Sequence, residues 1–478
     1  MENKFYITTT LPYVNADPHI GFAKEIIEAD VLARFHRALG DEVFFNTGTD
    51  EHGLKIYRKA QELGVDVQKY CDEKAETYKK LKDVLNLTFN NFIRTTDKRH
   101  IEAAQEFWRL CDKNGDIYKK KYKVKYCVGC ELEKTDSELV DGKCPLHPNA
   151  ELEIIEEENY FFRFSKYQDK LLELYENNQD FVLPKKRFNE VKSFVERGLE
   201  DFSISRLASK MSWGVPVPGD SDQVMYVWFD ALVIYISALG WPASAKALAG
   251  EANNFEKFWP CYQVCGKDNT RQQAAMWQAM LFSAGLLNAR QVFVNGFITV
   301  NGQKMSKSLG NVISPYEMVE KFGADGTRYL LLAGSGFGED FDITWEKLTE
   351  KYNADLANGL GNLTSRVIKL AQNFQFSILN FQSISNDSIF QLIKKLEFGQ
   401  ALDYVWNIIK EDNKYIGDNK PWELQKNDPE KFEEVMKKLL EDLNLISELL
   451  APFMPETSAK IKKALEAKEP VMLFPRIK

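Results

Sequence analysis

The sequence predicts an α/β protein: a doubly wound parallel sheet, interrupted by a cysteine-bearing insertion and followed by an all-α bundle. Three observations carry that expectation. Residues 4–53 alternate strand-like and helix-like segments with a polar loop after each strand, which is how a doubly wound domain opens. From about residue 116 the texture changes to lysines alternating with Tyr and Val, then a cysteine cluster, then the acidic run ELEIIEEE, before α/β character returns near 213. Beyond about residue 350 only helical spacing recurs.

In chain order, KFYITTT (4–10) is rich in aromatic and β-branched residues and reads as a strand. LPYVNADP supplies a turn. A helix is expected from about His19 to Leu39, with Ile26, Ile27, Ala29, Ala33 and Phe35 on its apolar faces. Gly40-Asp41 ends it, EVFFN (42–46) is a second strand, and GTDEHG (48–53) leads into another helix. VMYVWFDALVIYISAL, YQVCGKDN and VFVNGFITV then restore the α/β pattern. In the tail Leu356, Leu360, Leu363, Val367 and Leu370 recur every three or four residues, and further helices are expected over about 398–417, 430–450 and 455–466. The expected boundaries are 1–115 and 213–300 for the two halves of the α/β domain and 116–212 for the insertion. A loop and linking segment follows over 301–350, and the helical domain over 351–478.

Bulk composition narrows the class. A chain of 478 residues has room for two to four domains. No run of 18 apolar residues occurs, so no membrane span is expected. MENKFYITTT enters a strand directly with no signal-peptide pattern, which points to the cytoplasm. Seven cysteines, three of them clustered, look reduced and metal-binding rather than disulfide-bonded. The net charge of −8 means that any nucleic-acid site must be local.

Two segments carry phosphate chemistry. Pro18-His19-Ile20-Gly21-Phe22 sits between a strand and a helix start, where free N–H groups and the helix dipole suit an anion. Gly21 lets a ligand approach the backbone, and His19 can donate to a phosphate oxygen. Lys304-Met305-Ser306-Lys307-Ser308-Leu309-Gly310 is a cationic, hydroxyl-rich loop suited to a polyphosphate. Either segment alone is as readily a capped turn or a solvated loop. A third pattern, Cys127-x-x-Cys130, thirteen residues, then Cys144-x-x-His147, is a zinc signature. Four protein ligands leave no open position, so one structural Zn2+ per chain is expected. Cys71, Cys111, Cys261 and Cys265 read as core, and His36, His52 and His100 show no partner pattern.

Together the first two segments resemble the HIGH and KMSKS signatures of class I aminoacyl-tRNA synthetases. TTTLPYVNADPHIGF, TGTDEHG, EENYFFR, YVWFDAL, CGKDN and NGQKMSKSLGNV, in that order, resemble the methionyl-tRNA synthetases over nearly the whole chain, in the subgroup with a single zinc knuckle. The resemblance implies a Rossmann-like catalytic domain that activates L-methionine with ATP and Mg2+ and transfers it to tRNA(Met), including the initiator. It implies His19, Lys304 and Lys307 as catalytic, with Gly21, Phe22, Gly266 and Asp268 also on ATP. It implies Leu11, Tyr13, Asp50, Trp228, Ala231, Tyr235 and Gln273 around methionine, with Asp50 pairing the substrate ammonium. An unbranched thioether does call for a deep, apolar, aromatic-lined pocket. Trp228 and Tyr235, seven apart, share one face if their segment is helical. Three positions depart from the family: Phe22 replaces the second signature histidine, whose phosphate contact the backbone and Lys307 are expected to replace, Gln273 stands where a histidine is usual, and Asn269 where an aliphatic is.

For the helical tail the resemblance implies an anticodon contact, where each residue alone would read as a polar helix face or an aromatic plug. Asn362 and Arg366 lie one turn apart, off the leucine face, and Trp422 follows Pro421 in a break between helices, where an exposed ring can stack on a splayed base. These positions match the family's anticodon readers. Lys119–Lys125 reads first as the solvated face of an edge strand, and more sharply as a contact for tRNA phosphates. A monomer is expected. The rival readings are another class I synthetase, for Val, Ile, Leu or Cys, and a non-catalytic RNA-binding paralogue.

Overall fold

A computed structural model describes residues 3–134, 136–242, 254–305, 310–334, 336–372 and 387–478. The chain forms two compact units: residues 1–18, 40–80 and 89–294, and residues 19–39, 81–88 and 295–478.

The first unit is built on a six-stranded sheet. Its strands are β1 (Lys4–Thr9), β2 (Glu42–Thr49), β3 (Asn91–Arg94), β4 (Val182–Leu183), β5 (Tyr262–Gly266) and β6 (Gln291–Asn295), in the spatial order β3-β2-β1-β5-β6-β4. β1 pairs in parallel with both β2 and β5, as do β2 with β3 and β6 with β4. The chain runs outward one way from β1 to β2 and β3, and later adds β5 and β6 on the other side. That reversal makes the carboxyl ends of β1 and β5 the topological switch point, where doubly wound sheets bind their ligands. β1 and β2 are buried on both faces, which is why they read as near-continuous apolar and β-branched runs. β4 comes from the segment expected as the insertion, so that segment also supplies an edge strand to the main sheet.

The insertion also holds the helices Gln168–Asn177 and Lys185–Glu196 and a four-stranded antiparallel sheet whose long pair, Ile117–Cys127 and Glu153–Phe162, stays in register over ten residues. Register sets lysine against glutamate, Lys121 opposite Glu158 and Lys123 opposite Glu156. Lys119 pairs with Asp220 at 2.7 Å, Lys123 with Glu156 at 3.1 Å and Lys125 with Asp136 at 2.7 Å. The basic stripe is therefore largely balanced by acids of its own unit.

In the second unit, helix Ile20–Ala38 packs against helix Pro315–Leu332. A fully buried ion pair joins them, Arg328 to Asp30 at 2.8 Å, and the same guanidinium donates to the carbonyls of Leu85, Pro452 and Phe453. Such a charge is tolerable in the interior only because every donor finds an acceptor. The tail is helical, with Phe398–Asn419, Pro429–Leu450 and Pro455–Ala467 close to the spans read from periodicity. Leu356, Leu360, Leu363 and Val367 are all buried. No described helix is long and apolar enough to cross a membrane.

Candidate functional site

In the first unit, the loop after β1 and the loop after β2 meet. The Asp50 N–H donates to the Pro12 carbonyl at 3.0 Å, and the Val14 N–H to the Asp50 carbonyl at 3.3 Å, so Tyr13 and Asp50 form a one-residue parallel bridge. Tyr13 meets Trp228 edge-on, ring centroids 6.1 Å apart. Leu11, Trp228 and Tyr235 belong to one continuous buried cluster against which Tyr13 packs, and Ala231 is buried on the short helix that carries Trp228. The segment forms two short helices, Val227–Ala231 and Ile234–Ser237, because the bond from the Val233 N–H reaches back only to Asp230 and tightens the turn between them. Trp228 and Tyr235 therefore line the cluster from separate helices rather than from one continuous face.

Gln273, 1% exposed, donates to the Tyr235 hydroxyl at 2.6 Å and accepts from the Gln263 side chain at 3.0 Å. A neutral amide can donate and accept at once, so Gln273 links the Tyr235 hydroxyl to Gln263, whose own Oε1 has no partner among the described residues. Two buried polar atoms in the cluster, the Tyr13 hydroxyl and the Trp228 indole N–H, have no hydrogen-bond partner among the described residues. Buried polar groups are usually paired, so both atoms are open to a hydrogen bond from a bound molecule.

Asp50 is 2% exposed. Burial, and then the charge of Asp230, push its carboxyl well above the usual range. A buried acid of that kind favours the arrival of a cation to share its site. Asp230 behaves oppositely. Burial raises it, but His52 Nδ1 at 2.6 Å and His100 Nε2 at 2.7 Å outweigh burial and hold it at about 2. His100 Nδ1 lies 2.9 Å from the Ser237 hydroxyl. Sequence reasoning found no partner for His52 and His100; they share one. The available signal was Asp230 itself, an acid inside an apolar run, which must be paired once buried. At the end of β5, Gly266 admits the Asp268 carboxylate, whose Oδ1 lies 2.8 Å from where a Cβ on Gly266 would stand. Asp268 is exposed.

In the second unit, His19 caps helix Ile20–Ala38, its Nδ1 accepting from the Gly21 N–H at 3.0 Å. A neutral ring that accepts at Nδ1 carries its proton on Nε2, and so remains a donor toward an anion. A Cβ on Gly21 would fall 2.8 Å from His19 Cε1, so only glycine permits this cap. Met305 approaches the same point at 3.8 Å, which sets the start of the lysine loop beside the helix N-terminus. One turn further along, Lys24 and Glu28 form a buried ion pair, and Asn295 bonds to both. Lys304 is exposed, its ammonium 4.4 Å from the centroid of Phe297, and Phe22 is buried. Lys307 lies outside the described residues.

Cys127, Cys130, Cys144 and His147 bring four ligand atoms within 4.8 Å of one another. Cys127 Sγ lies 3.8 Å from His147 Nδ1, Cys130 Sγ 3.8 Å from Cys144 Sγ, and Cys144 Sγ 4.0 Å from His147 Nδ1. A tetrahedron with zinc–sulfur bonds of about 2.3 Å has corners about 3.8 Å apart, so the donor set fits a metal ion. In the tail, exposed Asn362 and half-buried Arg366 line a cavity of about 390 Å³ with Asn358, Lys410 and Asn413. Trp422, 46% exposed, opens helix Pro421–Asn427 and is not among the lining residues.

Against known proteins, residues 5–153 and 148–368 match the family model for tRNA synthetases class I (M), and residues 382–475 match the anticodon binding domain of methionyl tRNA ligase. Methionine–tRNA ligase of Thermotoga maritima is 41% identical over 98% of this chain and 76% of its own. That of Nostoc sp. is 42% identical over 97% of this chain and 90% of its own. The structure is similar to Mycobacterium tuberculosis methionyl-tRNA synthetase in complex with methionyl-adenylate, with a TM-score of 0.90, 35% identity, and 100% of this chain and 99% of that one covered.

Proposed function

The chain belongs to the class I methionine–tRNA ligase family, and on that premise we propose how its own residues run the reaction. That reaction activates methionine with ATP to methionyl-adenylate and passes the methionyl group to tRNA, releasing pyrophosphate and AMP. The methionine carboxylate attacks the α-phosphorus in line, and the terminal ribose of tRNA then displaces AMP. No bond to the protein forms, so catalysis is positioning and charge stabilisation.

Asp50 takes the methionine ammonium. Leu11, Tyr13, Trp228, Ala231 and Tyr235 enclose the thioether, and Gln273 holds Tyr235 in place. His19, Lys304 and Lys307 meet the charge growing on the phosphates, with Mg2+ entering on ATP; Gly21 and the backbone at Phe22 leave room for them. Gly266 and Asp268 take the ribose. The Cys127–Cys130–Cys144–His147 set holds one structural zinc, which closes the knuckle and offers no position to substrate. Asn362, Arg366 and Trp422 read the anticodon of initiator and elongator tRNA(Met). The domains follow the boundaries 1–115, 116–212, 213–300, 301–350 and 351–478, and the enzyme works as a cytoplasmic monomer.

The observation that carries the substrate assignment is a buried acid bridged to Tyr13, beside an aromatic cluster whose Tyr13 hydroxyl and Trp228 indole N–H lack partners among the described residues. The test is amino-acid-dependent pyrophosphate exchange. Methionine should support it well above Val, Ile, Leu and Cys; exchange with one of those and not with methionine overturns the assignment. A pocket that judges a single methylene has only roughly 1–3 kcal/mol to work with, so weak exchange with close homologues of methionine is expected.

A further inference from the structure

The zinc knuckle is joined to the methionine pocket by two side chains outside both. Glu131 follows the ligand Cys130 with a left-handed backbone, φ 51°, and is 1% exposed. Its carboxylate grips two segments. Oε1 accepts from the Lys55 N–H at 2.8 Å, and Oε2 accepts from the Tyr126 hydroxyl. Helix Leu54–Leu63 begins just after the Asp50 loop, and its N-cap, Gly53, has no side chain with which to satisfy the first N–H groups. Glu131 supplies that missing acceptor from the knuckle. Its own carbonyl accepts from the Tyr226 hydroxyl, and Tyr226 is the N-cap of the short helix that carries Trp228 and Ala231. Lys55 completes the link. Its ammonium donates to the Gly129 carbonyl, inside the knuckle, at 3.1 Å and lies 5.9 Å from the centroid of the Tyr13 ring.

We infer that Glu131 and Lys55 are positioning residues, through which the folded knuckle sets the spacing between the Asp50 loop and the Trp228 helix and so tunes methionine affinity. Neither is among the residues assigned above to methionine or ATP. The inference rests on the assignment of the pocket to methionine. It predicts a selective effect: the methionine side of the reaction shifts and the ATP side does not.

The experiment compares Glu131→Ala, Glu131→Gln and Lys55→Met with the unaltered full-length protein. The readouts are methionine and ATP KM in pyrophosphate exchange, methionine Kd from tryptophan fluorescence without ATP, zinc per chain, and Tm. Glu131→Ala should raise methionine KM and Kd about tenfold, with ATP KM within twofold and about one zinc per chain retained. Glu131→Gln keeps the acceptor for the Lys55 N–H and should recover most of that loss. Lys55→Met should show a smaller rise of the same kind. Equal rises in both KM values, an unchanged methionine Kd, or no recovery in Glu131→Gln would overturn the inference. Loss of zinc in Glu131→Ala together with Glu131→Gln would overturn it too, since the acid would then serve only knuckle folding. If the unaltered protein itself fails to bind methionine, it is the pocket assignment that falls.

Discussion

The buried cluster in the first unit and the helix start in the second, given roles in one reaction by the proposal above, differ in their physics. Asp50, Tyr235 and Gln273 are each no more than 2% exposed and are tied into hydrogen bonds or ring contacts on several sides. His19 and Lys304 are exposed. Choosing one uncharged side chain requires a dry, rigid cavity, because small differences in shape are all there is to read. Handling a triphosphate requires charge that can follow phosphates as they part, and exposure costs such groups little. The buried side should therefore govern methionine affinity, and the exposed side should govern rate.

The sharpest way to break that contrast is at Lys307. Lys307→Ala should slow adenylate formation by about 10²–10³-fold, the loss typical of one charge-stabilising donor, while methionine KM stays within twofold. A rate equal to that of the parent in single-turnover measurement would remove the lysine from the mechanism. Asp50→Asn tests the other side. It keeps the shape and deletes the charge, so methionine KM should rise at least about 30-fold with a much smaller change in kcat. Because burial and Asp230 hold the Asp50 carboxyl well above its usual range, raising the pH from that range ionises it, and methionine KM should fall as it does. The Asn variant should lose this dependence; a variant that keeps the slope would place the titrating group elsewhere.

The helical tail repeats the contrast in milder form. Exposed Trp422 should matter to tRNA alone: Trp422→Ala should lower charging kcat/KM about tenfold, as expected for one stacked base, and leave exchange unchanged. Equal loss in both assays would point to damaged folding. Buried Asp412 should matter to stability alone. Burial, with Asp442 adding to it and Lys438 opposing, raises Asp412 to about 7. The folded chain then holds a proton that the unfolded chain releases from about pH 4 upward, so this contribution favours folding at acidic pH and is lost as pH rises to 7. Asp412→Asn mimics the protonated acid. It should flatten this dependence and raise the apparent Tm of the helical unit by a few degrees at pH 8, read by calorimetry. A steeper slope in the variant would assign the titration to another group.

Much of this was legible in the residues because the signals are local. The β1–helix–β2 opening, the three long tail helices and the knuckle follow from periodicity and from ligand spacing, which neighbouring residues enforce on one another. The apolar run around Trp228 shows where local reading stops. A single helix would have set Trp228 and Tyr235 on one face, and a turn tightened at Val233 divides the run into two. Asp230 inside that run belongs to His52 and His100, which lie 178 and 130 residues away. Likewise the basic strand Lys119–Lys125 read as a solvated face or a contact for phosphates, and its acidic partners became visible only when register placed them opposite.

The sequence by itself determined most of the long elements, the family and the cysteine–histidine cluster that could hold a metal, since each is written in short-range spacing of residue types. Only the tertiary structure decided the partners of buried charges: Asp230 between two histidines, Arg328 on Asp30, Glu131 on the helix after Asp50. A buried charge must be neutralised wherever a complementary group happens to fold against it, and no rule of spacing along the chain says where that will be.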